Sequence, residues 1–220
     1  NEADRIMNID YIKDKLKNIK PKPIDYDVSF AVLVPIIEID GELNLIYEVR
    51  SNSITQPGEI SFPGGRIEEG ESPEEAAIRE TSEELLLNKA NIEMIAELNY
   101  ASSKSGSFVF TFLGLIKDMD AYEIDYNIDE VSEVFFVPLS FFLENEPEKY
   151  YMNYYPEADK DFPYHMVNNG EDYNWGSIRY PVYFYKYYNY IIWGLTAKIT
   201  FSFIKELKNG RHKAREINEG

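Results

Sequence analysis

The chain has no cysteine in its 220 residues, which excludes a disulfide framework and any thiolate metal centre. Histidine is nearly as scarce, with His165 and His212 the only two. A histidine-rich zinc site or a Ser-His-Asp triad therefore has almost nothing to be built from, and neither histidine is assigned a role. Basic residues are also short: 22 Lys and Arg stand against 39 Asp and Glu, a formal net charge of −17. Such a surface repels phosphate backbones, so no nucleic-acid partner is expected, but it suits a protein that gathers divalent cations. No apolar run approaches the roughly 18–20 residues needed to cross a bilayer, so no membrane partner is expected either. The opening stretch NEADRIMNIDYIKDKLKNIK mixes acids and bases without an apolar secretory segment, and a cytoplasmic location is the default expectation.

What is present suits a packed domain: 44% hydrophobic and 15% aromatic residues, enough for a sizeable core. Ile6, Ile9, Ile12, Leu16 and Ile19 recur at helical spacing, predicting an amphipathic helix over 3–19. Pro21 and Pro23 end it, so residues 1–24 read as helix and linker before a single domain over 25–220. VSFAVLVPIIEI, residues 28–39, reads as a buried strand, Asp40-Gly41 as a hairpin turn and ELNLIYEVR as the partner strand. ISF, NIEMIAELNYAS, SFVFTFLGLIKD and EVFFVPL supply further strands, with SKSG as a turn and a short helix starting at Ser140. Residues 144–180 read as Tyr-rich and irregular, and YPVYFYKYYNYIIW as a strand pair or one long strand. LTAKITFSFIKELKNG closes as a helix with Gly210 as its C-cap. Strands outnumber helices, the pattern of a mixed-sheet α/β domain.

Eight glutamates fall between Phe62 and Leu87. Ser72-Pro73-Glu74-Glu75 is a helix start, with Ser72 as N-cap, Pro73 in the first turn and Glu75 completing a capping box. Glu74 suits the positive end of the helix dipole. Those two glutamates have structural work. Glu80, Glu83 and Glu84 do not: at 100° per residue they share an arc of about 100° on one face. Like charges so spaced cost about 0.2–0.5 kcal/mol per pair. Ile78, Thr81 and Leu85 take the adjoining arc, toward the sheet, and Ala76 is expected to leave room beside Glu80 for a bulky substrate. Arg79 can relieve Glu83 one turn on, but not three carboxylates. A hard divalent cation can, and oxygen ligands are what Mg²⁺ and Mn²⁺ prefer. A solvated acidic face would explain the helix alone, but it does not explain the wider spacing. Gly65, Glu71, Arg79, Glu80, Glu83 and Glu84 read G-x5-E-x7-R-E-x2-E-E. At about 7% abundance per residue type, six such matches arise by chance on the order of once in ten million starts.

Residues 65–87 resemble the Nudix box, G-x5-E-x7-R-E-U-x-E-E-x-G-U, where U is a bulky apolar residue. Thr81 stands where an aliphatic residue is usual, and Leu86 replaces the glycine that helps the chain leave the helix. The resemblance implies a Nudix-type α/β/α sandwich with a mixed β-sheet, here with an N-terminal helix and a Tyr-rich C-terminal insertion. It implies hydrolysis of a nucleoside diphosphate linked to another group, with Mg²⁺ or Mn²⁺. Glu80, Glu83 and Glu84 would ligate the metals, the Gly65 carbonyl and Glu71 would complete the shell, Glu71 through water if not directly, and Arg79 would orient the glutamates. The base varies in this family: Glu84 is one candidate, and NIDEVSEVFFVPL offers Glu130, then Glu133, from a later loop.

The flanks are similar to one branch of that family, the coenzyme A pyrophosphatases. An arginine-serine pair, Arg50-Ser51, precedes PGEISFPGG, and IIWGLTAKI matches a W-G-x-T-A segment. The branch implies cleavage of CoA or acyl-CoA to 3′,5′-ADP and 4′-phosphopantetheine or its acyl form, with Arg50, Gly64 and Gly65 at the substrate. Where members carry an L-R-x-H-like run, SITQ here has no basic residue, so ADP-ribose, NADH or another nucleoside diphosphate derivative stays open as substrate. A Nudix-fold binding protein without turnover is the third reading, disfavoured because every charged position of the box is intact. Twelve of the eighteen tyrosines lie in 150–190. They either line a pocket for the substrate, bury against a second copy in a homodimer, or pack within the insertion. Trp193 is expected to pack.

Overall fold

The structure, a computed structural model, describes residues 9–19, 28–102 and 107–218, with side chains as far as residue 210. Among these residues eight strands form one mixed sheet. Its centre is the apolar run predicted as a buried strand, β1 (Ser29–Ile39), with β2 (Glu42–Arg50) joined to it by the Asp40-Gly41 turn. Both turn residues have positive φ, +51° and +82°, as a tight hairpin of matching twist requires. One edge of β1 pairs in parallel with β7 (Phe108–Ile116), whose other edge carries β5 (Ile92–Glu97) and β6 (Ala101–Ser102).

The second edge of β1 changes partner. Phe30 to Val32 pair with β4 (Gly64–Arg66), and Ile36 to Ile39 pair with β2. In the interval the Leu33 N–H donates to the Pro63 carbonyl at 3.0 Å. β2 diverges in the same way. One edge pairs throughout with β8 (Val131–Pro138), while the other leaves β1 after Leu45 and takes up β3 (Ile60–Ser61) at Glu48 and Val49. So β1 and β2 splay apart, and the segment from Ile60 to Arg66 fills the wedge between them.

Alternation along the strands divides the core into two layers. Ala31, Leu33, Ile37 and Ile46 face α2 (Pro73–Glu84) through Ala76, Ala77 and Leu85. Val34, Ile36, Leu45 and Tyr47 face the other way, onto Phe142 of α3 (Leu139–Glu144) and onto Ala197, Phe203 and Ile204 of α4 (Gly194–Asn218). That second layer also contains a three-stranded sheet, β9 (Glu148–Tyr154), β10 (Ile178–Tyr187) and β11 (Tyr190–Trp193). The mixed sheet between helical layers is the expected α/β/α arrangement.

Several expectations need correction. β9 lies inside the stretch read as irregular. EKYYMNY has almost no buried residue and so no alternation to read. Its register comes from pairing with β10, supported by Tyr150 against Phe184, Tyr154 against Tyr180, and Arg179 stacked 3.7 Å over Tyr151. α4 passes through Gly210 to Asn218 instead of ending there. Gly210 lacks the left-handed φ of a C-cap, and the RHKARE that follows is rich in good helix formers. Ala76 is fully buried against the sheet, so it lets the helix approach closely and opens no space for substrate. Among the described residues helix α1 (Ile9–Leu16) ends three residues before the predicted bound and has no buried residue. Residues 1–8, the Pro21–Pro23 linker and the SKSG turn lie outside the described residues.

Candidate active site

The α2 helix starts as its sequence requires. Ser72 Oγ accepts from the Glu75 N–H at 3.2 Å, and Glu75 Oε2 accepts from the Ser72 N–H at 2.9 Å. With the start fixed, Glu80 and Glu84 point at the Pro-Gly-Gly turn in the wedge of the sheet. The Gly64 N–H donates to Glu84 Oε2 at 2.8 Å. Backbone contact and a φ of +155° require glycine at Gly64, and a side chain at Gly65 would displace the Glu80 carboxyl group. A Cβ on Gly64 would lie 2.4 Å from the Ala31 carbonyl, and one on Gly65 would lie 2.3 Å from the Glu80 carboxyl group. The backbone of β4 and the carboxylates of α2 are thus in direct contact.

Arg79 holds the acidic set together. Its Nε and Nη2 donate to the two oxygens of Glu71 at 2.9 and 3.0 Å, and Nη1 donates to Glu80 at 2.9 Å and Glu83 at 3.3 Å. Nη2 also donates to the Arg66 carbonyl at 3.1 Å. Glu71 is engaged by Arg79 through both oxygens and also accepts from the Glu68 N–H at 3.1 Å, an outer position in the cluster. Bonding to Arg79 holds the Glu71 carboxyl below the usual carboxylate range, and the same bonds raise Arg79. Glu83 is exposed at the rim.

Glu84 is only 3% exposed. Burial pushes its carboxyl well up, and the nearby carboxylates of Glu48, Glu80 and Glu130 push it further. Glu80 is raised by desolvation, opposed by Arg79. Glu48, on β2, was not singled out by the sequence reading. It is 2% exposed and raised chiefly by burial. The period-2 pattern of β2 carried its signal, since a glutamate at a sheet-buried position next to Ile46 and Tyr47 breaks an otherwise apolar run. The assembled donors are all oxygen, from carboxylates and backbone, a set that fits a hard cation such as Mg²⁺ or Mn²⁺. No three acidic side chains among the described residues already close into a cage; Arg79 is the counter-charge to Glu71, Glu80 and Glu83.

The loop before β8 joins this cluster. Ser51, buried at the end of β2, donates through Oγ to the Asp129 carbonyl at 2.6 Å and through N–H to the Glu130 carbonyl at 2.8 Å. The Asn127 N–H donates to the Glu84 carbonyl at 2.8 Å. Glu130 is thereby fixed near Glu80 and Glu84, and Asn127 Nδ2 donates to it at 3.3 Å. Glu133 is turned to Tyr190, whose hydroxyl donates to it. Ser51 was legible only as half of a pair; its work is to tie β2 to the Glu130 loop.

Arg50 lines a cavity of about 470 Å³ with Gln56, Ser61, Tyr180, Trp193 and Leu195. Its Nε donates to the Thr55 carbonyl at 2.9 Å, which anchors the guanidinium at the mouth of that cavity. Trp193 also stacks on Phe184, 5.9 Å between centroids, so packing and lining are both served. Thr196 Oγ1 donates to the Ile60 carbonyl at 2.9 Å, binding the start of α4 to the segment that leads into Gly64. Of the crowded tyrosines, Tyr183 and Tyr185 are in the core, Tyr180 lines the cavity, and Tyr150, Tyr151, Tyr155 and Tyr188 are exposed.

A family model described as the NUDIX domain matches residues 28–155. Among curated proteins, the chain is 33% identical over 173 residues to the mouse peroxisomal coenzyme A diphosphatase NUDT7, covering 78% of this chain and 66% of that protein. It is 28% identical over 190 residues to the human mitochondrial coenzyme A diphosphatase NUDT8, covering 85% and 72%. It is 30% identical over 176 residues to the Arabidopsis thaliana protein Nudix hydrolase 15, mitochondrial, covering 77% and 55%. The chain thus spans between about half and two thirds of the length of several of these relatives. A solved C. elegans Ap4A hydrolase complex aligns with a TM-score of 0.45 and 21% identity over 51% of this chain and 81% of that one. With the box and its flanking strands matched over more than half its length, the chain belongs to the Nudix family.

Proposed function

We propose that the chain is a metal-dependent Nudix pyrophosphatase that cleaves CoA or acyl-CoA to 3′,5′-ADP and 4′-phosphopantetheine or its acyl form. The observation that carries this reading is the packing of Glu80 and Glu84 against Gly64 and Gly65, with the Arg50-lined cavity bordered by Ile60 and Ser61, which lead into the same turn. The curated names of the mouse and human relatives supply the substrate class. Bound Mg²⁺ or Mn²⁺ would neutralise the pyrophosphate, polarise phosphorus and acidify the attacking water. Glu80, Glu83 and Glu84 would hold it, with the Gly65 carbonyl, and Glu71 would act from its outer position.

The chain's own groups do the rest. Arg79 keeps the carboxylates of Glu71, Glu80 and Glu83 oriented through its hydrogen bonds to all three. Gly64 orients Glu84 through its N–H. Glu84 accepts the proton of the water; Glu130, held by the Ser51–Asn127 network, is the second candidate for that base. Arg50 binds substrate phosphate at the cavity mouth, and Trp193 and Tyr180 offer aromatic faces to the rest of the substrate. The reading extends to a cytoplasmic protein acting on a free small molecule, although the three relatives named above bear peroxisomal or mitochondrial names.

A second reading keeps the chemistry and changes the substrate to ADP-ribose or NADH, because SITQ supplies no cation for a 3′-phosphate. Initial rates with Mn²⁺ on CoA, dephospho-CoA, ADP-ribose and NADH, with products identified by mass, separate the two. Release of 3′,5′-ADP from CoA at the highest kcat/KM is expected. Turnover of ADP-ribose or NADH with CoA left intact would select the second reading.

A further inference from the structure

Glu48 is a carboxylate where the fold has no structural use for one. It sits mid-strand in β2, on the face that Ile46 shares with α2, opposite to Leu45 and Tyr47. Ser61 Oγ donates to its Oε1 at 3.0 Å. Oε2 is fully buried and has no hydrogen-bond partner among the described residues. A buried carboxylate oxygen without a donor is unfavourable enough that a hydroxyl or an apolar side chain would serve the strand better.

The groups around Glu48 narrow what Oε2 could be for. The charged side chains that act on it are Glu84, Glu80 and Glu130, three acids, and Arg50 alone among bases. Arg50 is anchored to Thr55, and Arg79 is occupied by Glu71, Glu80 and Glu83. No side-chain cation is placed to satisfy that oxygen. The splaying of β1 from β2 sets Glu48 beside the same wedge that holds Gly64 and Gly65.

We propose that Glu48 is a further ligand of the divalent-cation site, contributing Oε2 from β2 opposite the carboxylates that α2 contributes. The site would then draw oxygen donors from both walls of the wedge, and a cation bound there would tie helix to sheet. Hard oxygen donors select Mg²⁺ or Mn²⁺ over softer ions. This inference rests on the metal-dependent reading above.

The test is titration of the metal-free chain with Mn²⁺ by calorimetry, with thermal melting of each sample with and without the ion. Glu48→Gln keeps an oxygen for Ser61 and removes the charged donor; Glu48→Thr is the second variant, a strand former that leaves no carboxyl group. Glu80→Gln marks the centre itself. The expected result is Mn²⁺ affinity weaker by about tenfold or more in both Glu48 variants, a smaller rise in Tm on adding Mn²⁺, and a metal-free Tm equal to or above that of the wild type. Wild-type affinity and stoichiometry in Glu48→Gln, with binding weakened in Glu80→Gln, would overturn the role of Glu48 and leave the metal-dependent reading intact. No Mn²⁺ binding by the unaltered chain would overturn both. Anomalous scattering from Mn²⁺-loaded wild-type crystals reads the same point without a variant. A peak within about 2.5 Å of Glu48 Oε2 supports the ligand, and peaks confined to the α2 glutamates overturn it.

Discussion

Leu86 holds a left-handed backbone, φ +48°, at the position where the Nudix box has glycine. The exit from α2 is therefore kept, at a cost. A left-handed conformation disfavours an L side chain by about 1–2 kcal/mol, while glycine costs about 0.5–1 kcal/mol in lost chain freedom. Leu86 is exposed and has little burial to lose. Leu86→Gly should therefore stabilise the chain by a few tenths to about 1 kcal/mol, a rise in Tm of about 2–4 °C per kcal/mol for a chain of this size. Calorimetry checks it, and a fall in Tm would mean that the leucine side chain contributes more than its exposure suggests. Tyr47 poses a different case. Thr200 gives its hydroxyl proton to the Thr196 carbonyl at 2.9 Å, so Tyr47 is the donor in their 2.9 Å contact. Tyr47→Phe removes a buried hydrogen bond and should cost about 1 kcal/mol, read from denaturant unfolding, while leaving Mn²⁺ affinity untouched.

At the scale of elements, α2 was legible because its signals are local. Capping residues, a proline in the first turn and a fixed carboxylate spacing lie within one short stretch, and the structure reproduces the box pattern Ser72, Pro73 and Glu75 announce. β1 and β2 were legible for the same reason, a continuous apolar run and an Asp-Gly turn. β4 and β9 were not. β4 is three residues of Gly-Gly-Arg whose strand character comes from pairing with Phe30–Val32, and β9 presents exposed side chains on both faces. Glu48 escaped notice, and Ser51 was legible only as half of a pair, because their importance depends on what lies across the sheet, which sequence order does not reveal. The tie from Thr196 to Ile60 is of the same kind. Thr196→Val should release the start of α4 from β3, costing about 1 kcal/mol of stability and raising KM for the substrate more than it lowers kcat, as steady-state kinetics would show. An unchanged KM would separate the cavity from substrate binding.

For the molecule as a whole, the acidic balance sets a pH response. Glu48, Glu80 and Glu84 are raised above the ordinary value of 4.5 by burial. A raised carboxyl binds its proton more tightly in the folded state, so its contribution is complete below that ordinary value and is lost as pH rises through the folded one. The metal-free chain should lose stability from about pH 4.5 upward into the neutral range. Glu71 and Glu75 are lowered by Arg79 and Ser72, so their contribution is present above the ordinary value and fades as pH falls through the lower one. Melting curves across pH, with and without Mn²⁺, test this: the ion should flatten the alkaline side, because it replaces the protons. Among the described residues no helix is long and apolar enough to cross a membrane. The same carboxylates that weaken the metal-free fold are the ones proposed to hold the metal.

That claim is tested most directly by following CoA with Mn²⁺ and with EDTA, for the wild type and for Glu84→Gln, with products identified by mass. Mn²⁺-dependent release of 3′,5′-ADP, abolished by EDTA and slowed about 100- to 10,000-fold by Glu84→Gln, is the predicted result. Cleavage that persists in EDTA, or that Glu84→Gln leaves at the wild-type rate, would contradict it.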